Sequence, residues 1–422
     1  MRLGTLIRSS RAAGLLDQAL FSLATFAQTV IYARTLPSIE FGLFAMALST
    51  VLLAQTLQRC VVILPMVVSV AQAKESVIRP WARLNGVVIA LALAALALVG
   101  LTARLVAPEA RLLPTLCAMA ALCLPAVFSF EFVRRALYVE QKRGRIAGQA
   151  SAYFTFQLAG VGAVVWSGGG GMAAIAATAA AALLAALIGA LALTWKRQPD
   201  DVTLGALVTR YRTDMGWSLA AALPYAGFNT SMPMILGFVS SPVAAGVFTA
   251  TRLLLAPVTT LIAAIDNVDK PRAARALRDE GSSGLVRSLR GTLRSLLIMG
   301  GAYLLLAGVF SDQLLRFLLG ARYSVDVGFA WIWLVVGLLM MFGQPMETGL
   351  LILRRTRWYF WSRFLALLAA AAVLVLGLQV LAGHAAGVIA VAAGWLVSGG
   401  LAAGLLRYAL GRARAEDTER RP

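Results

Sequence analysis

Long apolar runs, each broken by a short polar or basic stretch, recur along the whole chain. Twelve of them lie near 12–34, 40–70, 84–106, 112–133, 146–167, 171–194, 214–240, 244–268, 291–310, 327–353, 359–382 and 385–408. Most are about 20 residues or longer, enough for a helix to cross a hydrocarbon core of about 30 Å. They are rich in Ala, Leu and Gly and lack the period-two alternation of outer-membrane strands, so the element they predict is the helix. The second run is long, and Pro65 inside it predicts either a bend or the end of its membrane portion. The pattern as a whole predicts an all-α polytopic membrane protein with twelve transmembrane helices.

Composition agrees. The 422 residues are 60% hydrophobic and 14% charged, with a mean hydropathy of +0.80. A soluble domain holds about 25% charged residues. The opening segment, MRLGTLIRSSRAAGLL, places basic residues before an apolar run with no small-residue cleavage site. It reads as the start of a first span and not as a removed signal. A net charge of +19 suggests nucleic acid until its distribution is considered. With the N-terminus inside, 31 of the 38 basic residues fall in inner segments. Five fall in outer ones (Arg34, Arg104, Arg111, Arg316 and Arg322), and Arg59 and Arg252 lie within spans. This is the positive-inside bias, with a secondary attraction to anionic headgroups, and it predicts cytoplasmic termini. Nucleic acid is not an expected partner.

Cys60, Cys117 and Cys123 all lie in apolar runs and form no metal-binding spacing, so no metal or cofactor is expected. No GxxxxGK[ST] pattern is present, so ATP hydrolysis by that route is excluded. The outer connections are short: SGGGG at 167–171 and VSSPV at 239–243 are turns. Only 311–326 is longer, with room for a short interfacial helix. His384 falls in an outer turn as a surface residue.

Polar residues inside the spans carry the functional signal. Gln18, Ser22, Thr25, Thr29 and Tyr32 step by three and four along one face of the first span, bordered by Asp17 and Gln28. The second span adds Ser49, Gln55, Thr56, Gln58 and Arg59. The seventh adds Ser218, Tyr225 and Asn229, with Pro224 able to kink it. The eighth carries Thr249, Arg252, Thr259 and Asp266. Small hydroxylated residues also serve as glue between helices. Arg59 and Arg252 are harder to explain that way, because a buried guanidinium stays charged. Each must face a watery cavity, or be clasped by an acid or by helix-end carbonyls. Glu131 is expected to pair with Arg134 on its own helix face, and Asp266 to sit at a helix end. Glu347, deep in the tenth span after Pro345, cannot reach water easily.

The halves resemble each other weakly. FGLFA follows the first span and AGVFT the seventh, so that Gly42 and Phe44 match Gly246 and Phe248 at an offset of 204 residues. Six spans per half would give both halves the same orientation.

The stretch from Leu15 to Pro65, with AR-x-L-P-x-x-E-F-G-L-F from Ala33 to Phe44 and AGVFTATRLLLAPVTTL from Ala245, resembles the Wzx-type oligosaccharide flippases. These belong to the multidrug/oligosaccharidyl-lipid/polysaccharide (MOP) exporter superfamily. The resemblance implies a MATE-like fold, with two six-helix bundles (1–200 and 201–422) around a central cavity. It implies alternating access that flips an undecaprenyl-diphosphate-linked oligosaccharide across the bacterial inner membrane, for surface or exo-polysaccharide synthesis. By the same carry-over Arg59 and Arg252 are substrate-binding residues on the phosphate side. Gln18, Ser22, Thr25, Gln55, Tyr225, Asn229 and Thr249 would line the cavity, and Asp17 and Glu347 would couple H+ or Na+. The implied partners are the lipid-linked oligosaccharide, membrane lipid and other membrane proteins of polysaccharide assembly. Two alternatives stand beside this reading. One is a drug or cation exporter on the same fold. The other is a membrane glycosyltransferase or polymerase, which the lack of a large outer loop, a DxD pair or a His/Cys cluster disfavours.

Overall fold

A computed structural model describes residues 10–72, 78–109, 111–195, 203–320 and 328–419. Among these residues the chain is helical and contains no strand. The helices are α1 (Ser10–Thr35), α2 (Ser38–Gln58), α3 (Leu64–Gln72), α4 (Ile78–Val106), α5 (Leu112–Val139), α6 (Arg143–Ser167) and α7 (Gly171–Ala190). They continue with α8 (Leu204–Tyr225), α9 (Met232–Val239), α10 (Pro242–Thr251), α11 (Ala256–Val309), α12 (Ser311–Leu319), α13 (Gly328–Ile352), α14 (Thr356–Gly377) and α15 (Gly383–Glu419). Each of the twelve expected spans coincides with a helix or with two helices joined by an irregular turn. Among the described residues, eight helical segments are long and apolar enough to cross a membrane by length and composition. Segments α1, α6 and α8–α9, where polar residues interrupt the apolar run, are not in that set.

Several expectations change in detail. Pro65 does not end its helix. A π-helical turn, Arg59–Ile63, precedes it, and the helix resumes to Gln72. The Leu64 N–H reaches back to the Arg59 carbonyl, so the widened turn absorbs the disruption a proline brings. The basic connection after the eighth span is also helical. α11 holds two helical stretches that meet at Gly281, whose φ of 67° only glycine adopts cheaply. The short helix expected within 311–326 is α12, while 321–327 lie outside the described residues. So do Arg2, Arg8, Lys74, Lys196, Arg197, Arg322, Arg420 and Arg421, which entered the charge count. His384 lies in the first turn of α15, half-buried. All three cysteines are free and buried, as expected.

The chain divides into two compact units, residues 1–223 with 233–246, and residues 224–232 with 247–422. In the first unit α5 packs against α2, α4 and α7, while α6 packs against α1 and α7. A buried cluster joins Val62, Ile63 and Met66 to Trp81, Phe132 and Leu137. Leu207, Tyr211 and Met215 of α8 complete it, with the Trp81 and Tyr211 rings 5.5 Å apart. In the second unit α15 packs against α13 and α14, and α13 against α11. Gly343 and Gly399 let the backbones of α13 and α15 approach closely.

The motif around residue 40 has a packing role within the first unit. The Glu40 carboxylate accepts the Gly171 N–H at 2.7 Å, capping the N-terminus of α7 where the helix dipole favours an anion. Gly170 and Gly171 leave the space for it, since a Cβ at either would strike Glu40. Gly42 lies against the backbone of Pro242, and Gly246 against Phe41 and Gly42. The repeated glycines thus face each other where α2 and α10 begin.

A side chain at Gly42 would collide with the Pro242 carbonyl, whereas nothing lies within 4 Å of a Cβ at Gly86. Gly42→Ala is therefore expected to destabilise the protein by about 1–3 kcal/mol, the usual range for overpacking. Gly86→Ala is expected to be neutral or slightly stabilising. The check is the thermal midpoint of purified protein in detergent.

Candidate functional site

In the first unit the ionisable residues of α1, of the π-helical turn that follows α2 and of α5 converge. Arg134 forms a bidentate pair with Asp17, with Nε 2.9 Å and Nη2 2.6 Å from Oδ2. Tyr138 donates its hydroxyl to the same oxygen at 2.6 Å. Arg134 also lies over the Phe21 ring at 5.0 Å and reaches the Gln18 Oε1 at 3.4 Å. One turn earlier on α5, Glu131 is 1% exposed and meets three arginines. Arg59 Nη2 lies 3.2 Å and Arg135 Nε 3.0 Å from its Oε1, and Arg134 Nη1 lies 3.6 Å from its Oε2. Asp17 is seven residues into α1 and Glu131 eight residues before the end of α5. Both therefore sit about 10–12 Å from the same end of the unit, at 1.5 Å per helical residue. Two carboxylates face three guanidiniums, and one positive charge is left over.

In the second unit α8 breaks at Pro224 into a π-helical turn, Ala226–Thr230. The Asn229 carbonyl would normally accept the N–H of residue 233, but that residue is Pro233 and has none. Arg252, which opens a 3₁₀ turn (Arg252–Leu255) after α10, donates Nη1 to this carbonyl at 2.8 Å. The Asn229 side chain donates to the Tyr225 hydroxyl at 2.8 Å. The Tyr225 ring in turn lies 4.5 Å from the Arg363 guanidinium, which Tyr359 flanks on its own account at 4.4 Å. Arg363 pairs with Glu347 at 2.7 Å, and the Ser398 hydroxyl donates to the other Glu347 oxygen at 2.8 Å. Among the described residues no carboxylate lies within ion-pair reach of Arg252.

Both halves of the clasp alternative are thus present: an acid holds Arg59, and one freed helix carbonyl holds Arg252. Both residues also begin non-α turns, a frequent mark of functional positions in helices. Glu131 pairs with Arg134, as its helix spacing implies, and takes two further arginines as well. Asp17 and Glu347 each carry a resident arginine. The polar face of α1 is divided in its contacts. Gln18 donates to Ser22 at 3.3 Å, while Thr25 returns its hydroxyl to the Phe21 and Ser22 carbonyls. Gln55 is buried. Gln58 bonds Asn85 and the Phe128 carbonyl and so ties α2 to α4 and α5. Tyr225, Asn229 and Arg252 come together, and the buried Thr249 hydroxyl, one turn before Arg252, has no partner among the described residues.

Sequence reasoning missed the central roles of Arg134, Arg135 and Arg363. All three look like topogenic charges near span ends. The available signal was the acid near each: Glu131 has Arg134 and Arg135 three and four residues further on its own helix, and Glu347 lies too deep in its apolar run to remain unpaired.

Removing one partner of a buried ion pair strands the other. Arg134→Met is therefore expected to lower stability by about 3–5 kcal/mol. The double variant Asp17→Leu with Arg134→Met is expected to recover most of the loss. Size-exclusion profiles and thermal midpoints in detergent read both effects.

No curated protein matches the chain. Among solved structures it is similar to an inward-facing multidrug resistance MATE family transporter of the MOP superfamily. The TM-score is 0.68 at 14% identity, covering 94% of this chain and 96% of the other. A MOP superfamily transporter from Pyrococcus furiosus, described as having a binding pocket of reverse polarity, gives 0.61 at 13% identity, covering 97% and 98%. The inward closed conformation of the lipid II flippase MurJ gives 0.64 at 10% identity, covering 93% and 86%. The fold is that of MOP transporters, and the chain is an all-α polytopic membrane protein. The family model described as polysaccharide biosynthesis protein matches residues 15–277, more than half of the chain, and this protein belongs to that family.

Proposed function

We propose that this protein is a transporter that flips a lipid-linked oligosaccharide, with its diphosphate, across the bacterial inner membrane. Arg59 and Arg252 serve the phosphate side. The observation that carries the reading is Arg252. Its permanent charge sits within a helical hairpin of a membrane protein, held by one backbone carbonyl and, among the described residues, by no carboxylate. Such a charge is unfavourable in hydrocarbon unless an anion or water shares the space. A diphosphate supplies both negative charge and bidentate acceptors. The family description, polysaccharide biosynthesis, supports a glycan as cargo. The MOP fold supports two six-helix bundles, near 1–200 and 201–422, and transport by alternating access; Gln18, Ser22, Thr25 and Gln55 in the first and Tyr225, Asn229 and Thr249 in the second are the residues assigned to meet the cargo. The positive-inside bias supports cytoplasmic termini.

A cation or drug exporter fits the ionisable groups less well. Asp17 and Glu347 each hold an arginine, Glu131 contacts three, and Asp266 meets Lys270 and Gln344. A cationic cargo would have to displace a guanidinium to reach any of these four carboxylates. Coupling to H+ or Na+ through Asp17 or Glu347 likewise requires its arginine to let go.

In vesicles reconstituted with defined undecaprenyl-diphosphate glycans, Arg59→Ala and Arg252→Ala are each expected to slow headgroup translocation by about 10- to 100-fold. That is the worth of one or two charge-assisted hydrogen bonds. Arg252→Lys, which keeps the charge and loses the fork, is expected to fall between. Normal translocation by both alanine variants would remove the assignment.

A further inference from the structure

Glu131 raises a question that the phosphate-side role of Arg59 does not answer. A single buried carboxylate does not need three arginines. Arg134 is occupied elsewhere, with Asp17, Gln18 and the Phe21 face taking most of its donors. Arg59 and Arg135 differ from it. Each touches Glu131 through one nitrogen, both on the same oxygen, and their side chains remain 47% and 39% exposed. An arginine has five N–H donors, so each keeps unused ones. Two guanidiniums side by side repel one another unless an anion lies between them. Glu131 provides that anion from the buried side, and nothing among the described residues provides it from the exposed side.

We propose that Arg59 and Arg135, gathered on Glu131 Oε1, form a two-guanidinium pincer for the diphosphate of the lipid-linked substrate at the Asp17 end of the first unit. The assignment rests on the flippase reading and extends it. It adds Arg135 as a substrate-binding residue and makes Glu131 a positioning residue. The distances of 3.2 and 3.0 Å to one oxygen place the two nitrogens no more than about 6 Å apart, a span that phosphate oxygens can bridge bidentately. Their exposed sides cannot face hydrocarbon without a large penalty, so the opening of the pincer is to water or to a headgroup. The pincer is also preorganised. Glu131 is buried and its geometry is fixed by Arg134, so little side-chain freedom remains to be lost on binding.

The test measures binding of farnesyl diphosphate to the full-length protein in nanodiscs of neutral phosphatidylcholine. Inorganic pyrophosphate serves as competitor, and discs containing phosphatidylglycerol form a separate arm. Arg135 is partly exposed, so Arg135→Ala is expected to fold. It and Arg59→Ala should each weaken binding about tenfold or more, and the double variant should lose less than the product of the two. Arg135→Lys should recover only part of the affinity. Competition by pyrophosphate supports recognition of the diphosphate itself. Phosphatidylglycerol that abolishes the farnesyl diphosphate signal, with no competition by pyrophosphate, assigns the pincer to phospholipid headgroups and overturns the proposal. Unchanged affinity in Arg135→Ala, with wild-type binding intact, overturns the pincer and leaves the flippase reading standing. A wild-type protein that binds no prenyl diphosphate overturns both.

Discussion

A guanidinium inside a membrane protein cannot discharge itself, and the polar interior of this chain is organised around that constraint. Burial neutralises a carboxylate, a histidine or a lysine by shifting its pKa, but arginine keeps its proton. Each intramembrane arginine therefore needs a partner. Arg134 and Arg363 have carboxylates to themselves or nearly so, together with aromatic faces. Arg59 shares its carboxylate with two other arginines. Arg252 has a backbone carbonyl alone among the described residues. Along this series compensation falls, and the capacity to engage an external anion rises.

Local chain chemistry makes these arrangements possible. Pro233 removes the donor that would have closed the turn over Asn229, and Arg252 takes the freed carbonyl. Pro65 follows the π-helical turn that begins at Arg59. The glycines at 170 and 171 admit Glu40 to the start of α7, while Gly42 and Gly246 allow two helix starts to meet. Membrane helices have little hydrophobic drive to associate with one another, so close backbone approach and satisfied polar pairs carry more of the work.

The helices were legible from the apolar runs because a bilayer demands about 20 apolar residues per crossing, a requirement loops do not meet. Arg59 and Arg252 stood out for the same reason. Their partners did not, because partnership depends on which helices adjoin. Glu131 and Arg134 share a helix face, so their contact follows from spacing. Asp17 with Arg134 is separated by 117 residues, and no local pattern announces it. Arg135 and Arg363 were hidden in the charge bias, since a basic residue near a span end has an ordinary topogenic explanation. Only the packing of α1, α2 and α5 separates the arginines that set topology from those held in a cluster.

The surplus positive charge has a use if the cargo brings negative charge with it. The most direct measurement compares wild-type binding of glycolipids that share sugar and tail and differ only at the link: diphosphate, monophosphate or a neutral ether. Affinity is expected to fall by about tenfold or more with each phosphate removed, as lost charge-assisted bonds require. Equal affinity for all three would mean that the arginines serve only to hold the helices together.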